Sequence, residues 1–416
     1  MTTTPLGAGR YLTPADLPET TRTSAHELTT QDGATVNGLL RVVPGATTVA
    51  FLMHPRQDFS HHVLVPELLK HGFAVWTQGA RSMGNDLTLL HEQAVLDMAA
   101  GHVFLRRNGF ENVVAVGHSG GAALAALYLQ QSAATPASRL DSTPGGKLVP
   151  LPEAELPSAD GLIMMAPHPG QGALLQRVID PSVVDETDPL SADPALDPYD
   201  PANGFAAPPA SSSYSPEFVE RYRRAQRARI ERIDEVARER VETSQKARKR
   251  YAAGKEAHDR RAALATGVIT VHRTDADLRA ADLSLDPNDR PYGSLFGRRP
   301  DLTNYGIIGF GRLTTPEAWL STWSANSTRA DLAACAPGVT VPALLIELTG
   351  DQACFPADAK RFAELLPHPD VTHVRVPGRH FGAPLHHGMT SGAVLAGEEM
   401  ARWTAERFTS VASASF

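Results

Sequence analysis

The sequence predicts an α/β fold: a mostly parallel sheet with helices on both faces, interrupted by a largely helical segment. Two observations predict it. Short runs of Val, Leu and Ile alternate with amphipathic stretches over the first 168 residues and again from about residue 336. Strands covered on both faces read as such unbroken apolar runs. Between them, residues 169–335 lose that rhythm and carry a long charged segment. The expected parts are therefore a first core part (1–168), an insertion (169–335) and a second core part (336–416).

In the first core part the strand candidates are 38–43, 47–54, 73–78, 112–117 and 161–166, with helices at 63–70, 87–107 and 120–132. A Pro/Gly-rich stretch, 141–157, reads as a surface loop before the last of these strands. The second core part offers strands at 341–348 and 371–376, a helix at 356–366 and an amphipathic closing helix at 391–409.

The insertion opens with Pro-rich irregular sequence over 180–209. From Ser215 to about residue 265 the surface is Arg, Glu and Lys. Phe218, Tyr222, Ile230, Ile233, Ala237 and Val241 recur there, mostly at spacings of three or four or their multiples. This is a long helix with one narrow apolar stripe, and Ser215-Pro216-Glu217 is its start. Forty residues of helix would span about 60 Å, too long to lie wholly on one domain. The segment either projects as an arm, a candidate gate or homodimer contact, or breaks near Gly254 and folds back. A solvated helix with one thin buried face is the plainer reading.

Composition narrows the partners. The chain of 416 residues has a net charge of −7, and the charges of the long helix are mixed in sign. Both argue against nucleic acid or an anionic membrane surface. No apolar stretch approaches the length of a membrane span. The N-terminus lacks the basic and apolar regions of a secretory signal. The only cysteines, Cys335 and Cys354, make no disulfide framework, so a cytoplasmic location is expected.

The chemistry concentrates in three loops. Residues 112–121 read Asn-Val-Val-Ala-Val-Gly-His-Ser-Gly-Gly: an apolar strand, a sharp turn holding Ser119, and a small-residue helix. G-x-S-x-G is a weak signal alone and a strong one between a strand and a helix. The plainer reading of Ser119 is a helix cap. A serine hydroxyl needs a base to take its proton, and the base works best with an acid to orient it. Asp351 follows one late strand, in Leu-Thr-Gly-Asp-Gln-Ala-Cys-Phe-Pro, and His380 follows the last, in Pro-Gly-Arg-His-Phe-Gly. Loops at the C-terminal ends of parallel strands share one edge of the sheet, so the three side chains can converge. Asp358, seven residues past Asp351 and inside a helix, ranks below it as the acid.

On these residues the chain resembles the α/β-hydrolases, in the order Ser, Asp, His, with a large cap between the sixth and seventh strands. Val-Gly-His-Ser-Gly-Gly is similar to their nucleophile elbow. Phe51-Leu52-Met53-His54-Pro55-Arg56 is similar to the His-Gly-x turn after their third strand. The resemblance implies a Ser119–His380–Asp351 triad and an oxyanion hole of backbone N–H groups from Arg56 and Gly120, with Gln57 a weaker candidate for the first. Two departures stand out. Pro55 replaces the usual Gly, and Gly79 replaces an Asp in a turn where Arg81 remains. The segment also resembles hydrolases that carry His-Pro and Asn-Asp in these places, here His54-Pro55 and Asn85-Asp86.

The implied activity is hydrolysis of an ester or lactone of a small to medium apolar substrate through an acyl-enzyme, with no cofactor. Thioester, amide or C–C hydrolysis would use the same triad. The competing class is a non-catalytic binding or scaffold protein on the same fold. Pocket candidates are His118 beside the nucleophile, His168 after the sixth strand, and Tyr305, Phe310, Trp319 and Trp323 near the end of the insertion. The alternative for the aromatics is a small core within the cap. His54 is read as structural, under the oxyanion turn. The pairs His61-His62 and His386-His387 lack metal-ligand spacing, and no metal site is expected.

Overall fold

Because successive residues of a strand point to opposite faces, each central strand feeds two separate cores. In a computed structural model, which describes residues 16–408, Val49, Phe51, Ala115, Leu162 and Leu345 enter one apolar cluster. Their neighbours Ala50, Leu52, Val116, Ile163 and Ile346 enter the other. The N-terminal segment read for a secretory signal, and Thr409 at the end of the expected closing helix, lie outside the described residues.

The elements of the first core part are β1 (Arg22–Thr29), β2 (Thr35–Val42), β3 (Thr48–His54), α1 (Leu64–Lys70), β4 (Ala74–Gly79), α2 (His91–Arg107), β5 (Asn112–His118), α3 (Gly120–Ala133) and β6 (Gly161–Met165). The second part adds β9 (Ala343–Leu348), α10 (Pro356–Leu365), β10 (Val371–Val376) and α11 (Gly392–Ala405). They build one eight-stranded sheet in the order β1-β2-β4-β3-β5-β6-β9-β10. Strands from β4 onward are parallel, while β2 is antiparallel to both β1 and β4. Helices α2, α3 and α10 cover one face, and α1 and α11 the other. The sequence expectation omitted β1. Six of its eight residues are polar and most of the strand is exposed, as an edge strand allows, so it carries no apolar run.

Between β6 and β9 the chain runs through α4 (Gln171–Val178), α5 (Pro216–Gly254), α6 (Ala257–Leu264), β7 (Ile269–Thr270), α7 (Pro300–Thr303), β8 (Leu313–Thr314), α8 (Pro316–Ala318) and α9 (Leu332–Cys335). Strands β7 and β8 pair as a short antiparallel ribbon. A single π-helical turn, Trp319–Trp323, continues α8. Helix α5 starts where expected: Ser215 caps it by accepting from the Phe218 N–H, and Pro216 occupies the first turn. All six residues of the predicted stripe are buried. The helix ends at Lys255 in left-handed conformation, φ 61°, and α6 turns back along it. Ser244 donates to the Ala263 carbonyl at 2.7 Å and Arg250 pairs with Asp259 at 2.8 Å. The fold-back hairpin is therefore the observed form, and α5 lies against the insertion's own core instead of projecting. Among the described residues no helix is long and apolar enough to cross a membrane.

Candidate active site

Strand β5 and helix α3 meet so closely that two of the motif glycines have no room for a side chain. A Cβ on Gly117 would lie 2.4 Å from Ala122 Cα, and one on Gly121 would lie 2.6 Å from the Met53 carbonyl oxygen of β3. The turn they permit holds Ser119 at φ 57°, ψ −125°, a conformation that costs a non-glycine residue on the order of 1–3 kcal/mol. The residue is 8% exposed, and its side chain stands at the end of a cavity of about 280 Å³.

Two other loops reach it. The Ser119 Oγ lies 2.9 Å from His380 Nε2, and His380 Nδ1 lies 2.8 Å from Asp351 Oδ2 and 3.0 Å from Oδ1. Asp351 Oδ1 also accepts from the backbone N–H groups of Ala353 and Cys354. These bonds fix the roles: Asp351 accepts, His380 donates from Nδ1, and Nε2 is the acceptor that faces the Ser119 hydroxyl. Ser119 follows the fifth strand of the sheet, Asp351 the seventh and His380 the eighth. The chain has the α/β-hydrolase fold.

No family model and no curated protein matches this chain. Solved structures of low identity resemble it. They include a DcsB complex with its substrate analogue (12% identity, 92% of this chain, 99% of that one, TM-score 0.48). The Pyrococcus furiosus esterase Pf2001 has 12% identity, 95% and 97% coverage and a TM-score of 0.43. Est1E from Butyrivibrio proteoclasticus has 11% identity, 92% and 98% coverage and a TM-score of 0.43. The fold assignment rests on strand order and loop placement, not on these likenesses.

A second set of contacts supports His380 from behind. His62 Nδ1 accepts the Leu64 N–H at 3.3 Å, so its Nε2 donates to His118 Nδ1 at 2.9 Å. His118 Nε2 in turn donates to the His380 carbonyl at 2.8 Å. Burial holds His62 neutral by pushing it down to about 3, and burial beside His62 and His380 likewise keeps His118 well below its usual range. His118 is thus a buttress for the His380 loop and does not line the cavity, contrary to the expectation for it. Cys354 lies close to Asp351 and His380. Its thiol donates to the Ala166 carbonyl at 2.7 Å, and burial pushes its pKa well up, which makes it a packed group and a poor metal ligand.

The oxyanion turn departs from the expectation. The N–H groups of Arg56 and Gln57 both donate to His54 Nδ1, each at 3.0 Å, so both candidates for the first donor are already engaged. The Gly120 N–H, at the first residue of α3, has no acceptor among the described residues. The Arg56 side chain pairs with Asp86 through two bonds of 2.7 and 2.6 Å. That pair ties the His54-Pro55-Arg56 turn to Asn85-Asp86. Arg81, deprived of an acid at position 79, pairs instead with Asp32 of the β1–β2 turn and Asp97 of α2.

The polar lining of the cavity is His54, Arg56, Gln57, Asp86, His168 and Gln171. The apolar lining is Leu295, Phe296, Ile307, Ile308 and Phe310, with Phe381 beside the His380 ring. Of the pocket candidates, His168 and Phe310 line this cavity. Tyr305, Trp319 and Trp323 do not. Tyr305 is 44% exposed and accepts from Arg273. Trp319 is fully buried and donates from its indole N–H to Asp234 of α5 at 2.7 Å. Trp323 lies behind the Arg56 guanidinium, 4.7 Å from its ring centre. Bonds from Thr315 and Thr322 to the carbonyls of Leu87 and Leu89 fix this segment against the start of α2, so its tryptophans turn into the insertion's core. Asp358, the lesser acid candidate, pairs with Arg177. Sequence reading missed Gln171 and the 295–308 rim. Gln171 lies three residues past His168, the one local signal for it; the rim carried none.

Proposed function

We propose that this protein is a serine hydrolase that cleaves a carboxylic ester or lactone of a small, largely apolar substrate. The observation that carries this reading is the unbroken chain Ser119–His380–Asp351 ending in a cavity. His380 would take the Ser119 proton as the hydroxyl attacks the substrate carbonyl, and Asp351 would stabilise the imidazolium. The leaving group would depart with that proton, and water activated by the same His380 would release the acyl-enzyme. The apolar lining is suited to an alkyl or aryl portion, while the polar groups beside Gly120 suit the reacting carbonyl.

The test is intact mass after exposure to a fluorophosphonate, for the wild type and Ser119→Ala. The expected result is one adduct on the wild type and none on the variant, with circular dichroism unchanged. A folded wild type that takes no adduct, even from a smaller phosphonate, would overturn the reading in favour of a binding protein.

A further inference from the structure

We propose that the oxyanion is held by imidazole: the Nε2–H groups of His54 and His168 act beside the backbone N–H of Gly120, in place of a backbone donor from Arg56. This rests on the serine-hydrolase reading above and deepens it.

The argument starts from proton inventory. A neutral imidazole carries one N–H, and the nitrogen that accepts a bond cannot be the one that bears it. His54 Nδ1 accepts from the N–H groups of Arg56 and Gln57, and His168 Nδ1 accepts from the Gly170 N–H at 3.0 Å. Burial keeps both rings neutral, pushing His168 down to about 3 and His54 well below its usual range, with Arg56 adding to the effect on each. Each Nε2 therefore bears a proton, and neither has an acceptor among the described residues.

Both protons arrive at one place. A Cβ built on Gly120 would lie 2.8 Å from His168 Nε2 and 3.0 Å from His54 Nε2. The same point is 2.4 Å from Gln171 Nε2. The Gln171 amide reaches toward His91, but neither of its polar atoms makes a hydrogen bond of good geometry. Gly120 follows the nucleophile directly, so this cradle borders the position where a carbonyl oxygen bound to Ser119 Oγ becomes an anion. Only glycine leaves the cradle open.

The turn explains the substitution of roles. The two backbone N–H groups that could have pointed at the oxyanion converge on His54 Nδ1, and the ring presents a donor of its own on its far side. The proton on Nε2 stays there throughout; it stabilises developing negative charge and is not transferred. Neutral donors set in a buried wall need no reorganisation when the charge appears, which is what makes such groups effective.

The test compares p-nitrophenyl acetate with its thionoester, because a sulfur anion is a much weaker hydrogen-bond acceptor than an oxygen anion. Removing one donor typically costs about 100-fold or more in kcat. His168→Leu and His54→Leu are each expected to lower kcat for the oxoester by about that factor, leave KM within about twofold, and shrink the oxo-to-thiono preference in parallel. His168→Gln, which restores an N–H, should recover part of both. Because His54 also anchors the turn, His168→Leu carries the test if His54→Leu does not fold. Variants that keep the wild-type oxo-to-thiono ratio would overturn the inference while leaving the hydrolase reading intact. A wild type that neither turns over the ester nor takes a fluorophosphonate on Ser119 would sink both.

Discussion

The sheet and the insertion solve the problem of burial differently. The sheet's two cores are continuous layers of aliphatic side chains, such as Val49, Leu124 and Leu345 on one face and Leu52, Leu68 and Ile346 on the other. The insertion has two smaller clusters, around Trp319 and Ile233 and around Tyr214 and Tyr222. Beside them the insertion buries charged side chains that are held by hydrogen bonds. Arg229 of α5 is wholly buried; it bonds Glu186 through two contacts of 2.7 Å and the carbonyls of Asp180 and His272. Arg290 donates to four backbone carbonyls, those of Arg279, Asp282, Leu285 and Asp286. Burying charge is tolerable only when each group is paired and bonded. An aliphatic layer accepts many sequences, whereas a charge network accepts only the geometry that satisfies it.

That contrast predicts unequal responses. The largest effect is expected at Arg229. Arg229→Ala leaves Glu186 and two carbonyls without their partner, and should cost about 3–5 kcal/mol, read by urea unfolding. A loss below about 1 kcal/mol, the size of an exposed ion pair, would mean that the network is dispensable and the comparison fails.

A smaller, pH-dependent effect is expected where the two regions touch. Glu92 of α2 is buried against the π-helical turn and accepts from the Ser321 hydroxyl at 2.6 Å. Burial raises its pKa to about 7 from 4.5. The folded state therefore holds a proton that the unfolded state releases between these values. The stability from this group is complete below about pH 4.5, declines as pH rises, and is lost above about 7. Glu92→Gln keeps the polar contact without the charge. Its stability relative to wild type should rise by a few kcal/mol between pH 5 and pH 8, measured by thermal or urea unfolding at both. An equal difference at the two pH values would show that Glu92 is already ionised in the fold.

The smallest effect concerns the rim. Phe310 comes from the insertion, while Ser119, His380 and Asp351 all come from the sheet's loops. Phe310→Ala should raise KM for an aryl ester several-fold, about 1 kcal/mol of uniform binding, with kcat nearly unchanged. A matching fall in kcat would instead tie the rim to the chemical step.

The same contrast explains what could be read in advance. Ser119 announces itself because a strand, two glycines forced by close approach and a helix are adjacent in the chain. Asp351 and His380 follow because each closes a strand of recognisable apolar pattern. The α5 stripe was legible from periodicity alone. The failures lie where a polar group's partner, near or distant in the chain, leaves no mark on the apolar pattern. Trp319 was read as a pocket residue because nothing local records its bond to Asp234, 85 positions away. Arg56 was read as an oxyanion donor because the pattern of the turn does not say that His54 Nδ1 collects its N–H. The β1 edge strand was missed because solvent, not a core, selects its residues.

By itself, then, the sequence determined the order of elements, the sheet's two-sided burial and the three side chains brought together at its edge. These follow from local periodicity and from turns that only certain residues can make. The tertiary structure decided which aromatics face the cavity, that the long helix folds back, and which N–H groups surround Gly120. Those outcomes depend on hydrogen-bond partners that the apolar periodicity does not record, some of them far apart in the chain and some only two or three residues away. A buried polar group takes whichever partner the packed fold brings within reach.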